Sequence, residues 1–161
     1  MISDIGASGA YYIAAAADQI YADKASLVGS IGVVASSFGF VGALEKLGVE
    51  RRLYTSGDHK GFLDPFSEEK PKEVDFWKGV LNDTHQQFID KVKEGRGDRL
   101  NATDDTFSGL IWNGEQALEM GLVDGLGSAG FVAREIVGAE EIVDFTPQPD
   151  PFERFTKTLG I

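Results

Sequence analysis

The sequence predicts an α/β fold with parallel strand pairing. Three observations lead there: short β-branched runs, helical apolar spacings between them, and glycines where each helix should stop. Gly6-Ala7-Ser8-Gly9-Ala10 passes from small residues into the run Ala14-Ala15-Ala16-Ala17, which has high helix propensity, so a helix begins at Ser8. Residues 20–22 and 30–34 read as short buried strands bounded by turn formers. Phe40, Val41, Leu44 and Leu47 recur at helical spacing and stop at Gly48, a C-terminal cap. Residues 49–55 alternate as a strand, which completes a repeated strand, helix, strand order. A loop rich in Gly, Asp and Pro follows at 56–66, and Ser67 is placed to cap a long helix running to about residue 94. Phe76, Val80, Leu81, Thr84, Phe88 and Val92 give that helix an apolar stripe, and Gly95-Arg96-Gly97 ends it. A short helix over 114–120 closes at Gly121, a further helix covers 129–137, and 142–145 reads as a strand. The expected organisation is one domain over 1–146 and a Pro-rich tail at 147–161 with room for a short helix.

Composition narrows the function. Fifteen Lys and Arg against 26 Asp and Glu give a net charge of -11, a field that repels phosphate backbones and anionic lipid. Neither nucleic acid nor an anionic membrane surface is an expected partner of this chain. Arg51-Arg52, the one dense cationic pair, sits beside Glu50 on what reads as a solvated strand face. With no Cys, there is no thiol nucleophile, disulfide framework or thiolate metal site, and the redox compartment stays open. No stretch approaches the roughly 18 apolar residues of a membrane span, and no signal peptide is visible, so the chain is expected to be soluble. Two isolated histidines, without HExxH or calcium-loop spacing, predict no metal, and Gly29-Ser30-Ile31-Gly32 lacks the phosphate-loop lysine and the dinucleotide fingerprint. No cofactor is expected. Trp77 and Trp112 read as core, and Asp104-Asp105 and Glu140-Glu141 as solvated turns.

Ser8, between Gly-Ala and Gly-Ala at a helix entrance, has what an acyl-transfer nucleophile needs. Small neighbours admit a substrate backbone, and the Gly9 amide at the helix start can face a developing oxyanion. Taken alone, such a serine is ordinarily an N-cap. Ala7-Ser8-Gly9-Ala10-Tyr11-Tyr12-Ile13-Ala14 is followed, however, by Leu27-Val28-Gly29-Ser30-Ile31-Gly32-Val33 and by Thr55-Ser56-Gly57-Asp58-His59-Lys60. Gly114-Glu115-Gln116-Ala117 and Gly121-Leu122-Val123-Asp124 come later. In this order and spacing, from about residue 5 to 126, the chain resembles the protease domain of the signal peptide peptidase A and SohB family. Ala10 stands where that family has a second glycine after the serine.

The resemblance implies Ser8 as nucleophile, Lys60 as general base and Ser30 as a hydroxyl that helps hold the lysine amine. It also implies a crotonase and Clp-protease-like spiral of βαβ units assembled into rings, and cleavage of hydrophobic peptides such as remnant signal peptides. The residue types suit that chemistry, because a serine hydroxyl is a poor nucleophile until a base takes its proton, and a lysine is a base only when neutral. A free lysine amine titrates near about 10.4, so half-neutrality at about pH 7 penalises the ammonium by roughly 4 kcal/mol, which burial must supply. Gly61, Phe62 and Leu63 offer an apolar setting beside Lys60; Asp58 and Asp64 would oppose it if turned inward.

Two rivals remain. An α/β-hydrolase esterase would need a histidine late in the chain, and none follows His85; His59 and His85 both read as structural or solvent-facing. An inactive assembly module would keep the fold without hydrolysis. By the resemblance, a segment with a second oxyanion donor precedes the serine, so this chain matches the C-terminal part of the domain, and a periplasmic or membrane-associated location belongs to the full-length protein. This chain alone is therefore expected to hydrolyse peptides feebly and the extended protein well. Equal rates in one peptidase assay would sink that expectation.

Overall fold

The computed structural model describes residues 1–145, so the tail at 147–161 lies outside the described residues. In chain order the elements of the first compact unit, Met1–Ser128, are β1 (Ile5–Ala7), α1 (Gly9–Ala14), β2 (Tyr21–Ala22), β3 (Leu27–Gly29), α2 (Val41–Leu47), α3 (Pro71–Arg96), β4 (Ile111–Asn113), α4 (Gly114–Glu119) and β5 (Gly125–Leu126). A second unit starts at Ala129 with α5 (Ala129–Phe131), which continues as a π-helical turn over Val132–Val137 and stops at Gly138 in the left-handed conformation.

β1 and β3 pair in parallel, with Ile5 opposite Leu27 and Ala7 opposite Gly29, and β4 joins the other edge of β3 antiparallel. β2 and β5 form a separate parallel pair, extended by an Ile2–Ala22 bridge. The fold is thus α/β with parallel pairing, as expected.

Sequence chemistry explains the helix ends. Gly48 closes α2 at φ 66°, where a side chain would be strained, and the following Val49 amide donates to Leu44 O. Pro71 opens α3, with Glu73 in its first turn and Lys93 and Arg96 in its last, each sign matched to the helix dipole. The expected cap at Ser67 is corrected: Lys70 is the N-cap residue, and the Ser67 hydroxyl instead donates to Asp64 Oδ2 at 2.7 Å. Asn113 and Gln116 cap α4 reciprocally, side chain to backbone in both directions.

Tyr11, Ala15, Ile20, Val28, Ile31, Phe88, Val92, Ala117, Leu122 and Val123 form one buried core, which Trp112 packs against from its edge. α1 and α3 meet so closely that a Cβ on Gly95 would collide with the Ala15 carbonyl.

Three expected strands are corrected. The strand placed at 30–34 lies earlier, at Leu27–Gly29, because Ser30 turns to φ 48° and leaves the ladder. Residues 49–55 and 142–145 form no strand. A strand needs a partner for its backbone groups, and no pairing for these residues is found among the described ones, which leaves Tyr54 89% exposed. The α3 stripe is half right: Phe88 and Val92 are buried, while Phe76 is 65% exposed and Thr84 faces outward, its hydroxyl donating to Val80 O.

Candidate active site

Ser8 is the single residue between β1 and α1, and the chain turns there from strand to helix with φ 54° and ψ −125°. A positive φ is uncommon outside glycine and costs of order 1–3 kcal/mol, so it persists only where surrounding structure enforces it. Here the Ser8 amide donates to Gly29 O at 2.8 Å, and the Ser8 carbonyl accepts from the Tyr12 amide at 2.9 Å. The hydroxyl does not cap α1. The ordinary role of a serine at a helix start is therefore unfilled, and the conformation matches the sharp strand-to-helix elbow that exposes a nucleophile. Gly9 is the first residue of α1, where backbone amides lack helical partners. Ala10 is exposed within the helix, which accommodates its methyl without cost.

The sheet register brings Ser30 to Ser8. With Ala7 opposite Gly29, the next residues on two parallel strands stand side by side at their carboxyl edge, where α/β sheets bind ligands. Ser30 is also strained, at φ 48°, with its amide bonded to Leu110 O at 2.8 Å. Both serines line one cavity of about 350 Å³, together with Gly32, Val33, Val34 and His85. Gly32 and Gly109 pack so tightly on its far wall that a Cβ on Gly32 would come within 2.9 Å of the Gly109 Cα.

Lys60 is not part of that lining. It is exposed on the turn following Ser56, which is held locally by Lys60 N donating to Gly57 O at 3.2 Å and Phe62 N to His59 O at 3.1 Å. The structure thus brings Ser8 and Ser30 together and leaves Lys60 on an exposed turn outside their cavity, with no strand ladder to fix it. His59 is 79% exposed and pairs with Glu73 Oε1 at 3.3 Å, the solvent-facing role expected of it.

His85 is the functional candidate that sequence reasoning missed. It was expected to be structural or solvent-facing; it is half-buried, lines the serine cavity and binds Ile31 O through Nε2 at 2.9 Å. The signal was present, since positions 81, 85, 88 and 92 form a helical stripe in which His85, not Thr84, faces inward.

Behind α1 lies a polar clamp. The Tyr11 hydroxyl donates to Leu122 O at 2.7 Å, and burial pushes its pKa well above the usual phenol value. Arg96, its side chain fully buried, grips Asp124 with two bonds at 2.8 and 2.9 Å and Gly121 O with a third. Asp124 also accepts from the Ile20 amide at 2.6 Å and from Arg99 at 3.1 Å. Partial burial alone would raise the Asp124 pKa, but the Arg96 bonds, the Ile20 amide and the two guanidinium charges outweigh it and hold the carboxyl below its ordinary value. Among the described residues, no group of three or more His, Asp or Glu side chains could hold a metal ion.

The pattern of peptidase family S49 matches residues 1–140. The chain is 34% identical over 140 residues to a putative signal peptide peptidase SppA of Enterococcus faecium, covering 87% of this chain and 41% of that protein. To a probable protease SohB of Buchnera aphidicola subsp. Schlechtendalia chinensis it is 38% identical over 123 residues, 76% of this chain and 40% of that one. It is also 49% identical over 137 residues, 85% of this chain, to 19% of a Brucella abortus protein named Na(+)/H(+) antiporter NhaA. The chain therefore spans about a fifth of the antiporter-named relative and two fifths of the protease-named ones.

Proposed function

Because the chain belongs to peptidase family S49, we propose that it carries the working residues of a serine peptidase, with Ser8 as nucleophile and Lys60 as general base. The observation that carries this reading is Ser8 itself: strained at a strand-to-helix elbow, free of the capping role, and sharing a cavity with Ser30. The neutral Lys60 amine takes the Ser8 proton as Oγ attacks the peptide carbonyl. The Gly9 amide faces the oxyanion, and the lysine then returns the proton to the leaving amine, leaving an acyl group on Ser8 that water removes. Ser30 holds the amine in reach. This requires the turn carrying Lys60 to close on the cavity; its backbone bonds are local, and its ties to α3 are the exposed His59–Glu73 pair and the Phe62 ring against Phe76 and Trp77.

The proposed substrates are hydrophobic peptides, received beside Val33 and Val34, and the name of the Enterococcus relative points the same way. The parallel β1–β3 pair, bridged by α1, supports a spiral of βαβ units. No helix among the described residues is long and apolar enough to cross a membrane, so contact with membranes is proposed through other parts of the protein, and ion transport is not carried over from the antiporter-named relative. Membership of family S49 leaves the α/β-hydrolase alternative without support. A second reading, the inactive assembly module, draws on the exposure of Lys60.

A fluorophosphonate probe decides between them. It is expected to add one adduct to the extended protein, at Ser8, and none to Ser8→Ala; absence of any adduct at Ser8 would favour the inactive module.

Self-association is also proposed. Val34, Phe38 and Tyr54 are 88%, 77% and 89% exposed on stretches without strand partners, and such surface drives assembly. Light scattering at micromolar concentration is expected to give a mass above the monomer, and a clean monomer would remove the proposal.

A further inference from the structure

We infer that His85 is a positioning residue of the Ser8 site, which fixes the wall carrying Ser30, Val33 and Val34 through its bond to the Ile31 carbonyl. The inference rests on Ser8 being the nucleophile. A carbonyl only accepts, so Nε2 must carry the proton in this bond, and the lone pair of the neutral ring sits on Nδ1. Nε2 cannot take a proton from Ser8 while it donates to Ile31, and the His85→Gln variant, which keeps a donor but has no basic nitrogen, separates positioning from a base role through Nδ1.

The wall needs such a tie. β3 ends at Gly29, Ser30 leaves it with a strained backbone, and Gly32 N donates back to Ser30 O at 2.9 Å in a tight turn centred on Ile31. The Ile31 side chain is fully buried, yet its carbonyl has no other donor among the described residues. Past Gly32, residues 33–39 make no hydrogen bond among the described residues until Phe40 N reaches Pro65 O at 2.7 Å. His85 is thus the last fixed point before a free segment that includes two lining residues of the Ser8 cavity. α3 can serve as the anchor because it is itself held against α1, with the Phe88 ring 5.0 Å from that of Tyr12. One helix therefore sets both the element behind Ser8 and the wall in front of it.

Two substitutions test this. His85→Leu removes the donor; His85→Gln offers a side-chain N–H at a similar reach and should restore it. Fluorophosphonate labelling of Ser8, measured per folded molecule in the extended protein, is expected to slow about tenfold in His85→Leu, the rate equivalent of one lost hydrogen bond, and to return to within about twofold of wild type in His85→Gln. With a peptide substrate, kcat should fall and KM should change less. In hydrogen exchange, the Ser30 and Gly32 amides should exchange faster in His85→Leu while the Ser8 amide stays protected. Labelling lost equally in both variants would make His85 a base, and a lowered melting temperature with unchanged labelling and exchange would make it merely structural; either overturns the inference. If wild type is never labelled, the peptidase reading fails, and the exchange result still decides whether His85 holds the wall.

Discussion

Lys60→Ala is expected to cut peptide turnover by the extended protein about 10,000-fold or more, as Ser8→Ala does, while His59→Ala leaves most of it. The reasoning is that nucleophile and base act as one unit: without the base the hydroxyl keeps its proton, and without the hydroxyl the base has nothing to activate. Joining Ser8→Ala to Lys60→Ala should therefore cost little more than either alone, the residue being what amide stabilisation and binding still supply. Lys60→Arg should fail as well, because a guanidinium stays charged and accepts no proton. His59 serves as the control because its ring is 79% exposed and engaged with Glu73, outside the Ser8 cavity. The measurement is steady-state kinetics on each variant after its fold has been checked by circular dichroism. Near-normal turnover in Lys60→Ala would dismiss the Ser-Lys assignment, and with Ser8 still labelled it would direct the search for a base elsewhere along the cavity.

Lys60 also shows how far local pattern reaches. Elements whose causes are local were legible: α2 with its left-handed stop at Gly48, α3 with its end at Gly97 though not its start at Pro71, and α4 with its closing Gly121. The strand at 49–55 was not, because alternation says only that a segment could pair, and pairing depends on a partner that no local window reveals. β1 escaped notice for a related reason, since Ile5-Gly6-Ala7 has almost no strand signature and is held by its register with β3. At the site, Ser8 and Ser30 were singled out by the family resemblance, and the parallel register explains why they lie side by side. His85 reaches a carbonyl 54 positions away, a relation visible in sequence only as a polar residue on the buried face of α3. The Gly121-Leu122-Val123-Asp124 motif was noticed without a role, and the role is architectural.

Asp124→Asn is accordingly expected to destabilise the fold by about 3–5 kcal/mol, among the largest effects a single substitution can have here. Arg96 is buried with its charge neutralised by two bonds to the Asp124 carboxylate, and an amide in that place leaves the guanidinium uncompensated where water cannot reach it. In a unit of this size each kcal/mol moves the melting temperature by roughly 2–4 °C, so thermal unfolding should shift down by about 10 °C. Removing both charges as Arg96→Met with Asp124→Leu should cost clearly less than Asp124→Asn alone, since the penalty lies in the unpaired charge rather than in losing the pair. The pH dependence has a definite sign. The folded carboxyl titrates below its ordinary value of about 3.9, so its contribution is complete above that value and is lost as pH falls through the lower, folded one. Wild type should therefore lose stability on acidification below about pH 4, and the Asp124→Asn variant should lack that component of the loss. The clamp also bears on the surroundings of Ser8: Asp124 holds the Ile20 amide, Arg96 holds Gly121, and the Tyr11 hydroxyl ties α1 to the adjoining Leu122, so the helix that starts beside Ser8 is docked on the segment this carboxylate anchors. A melting temperature within about 2 °C of wild type for Asp124→Asn would show that water reaches Arg96 after all, and would withdraw both the energetic claim and the anchoring beside Ser8 that depends on it.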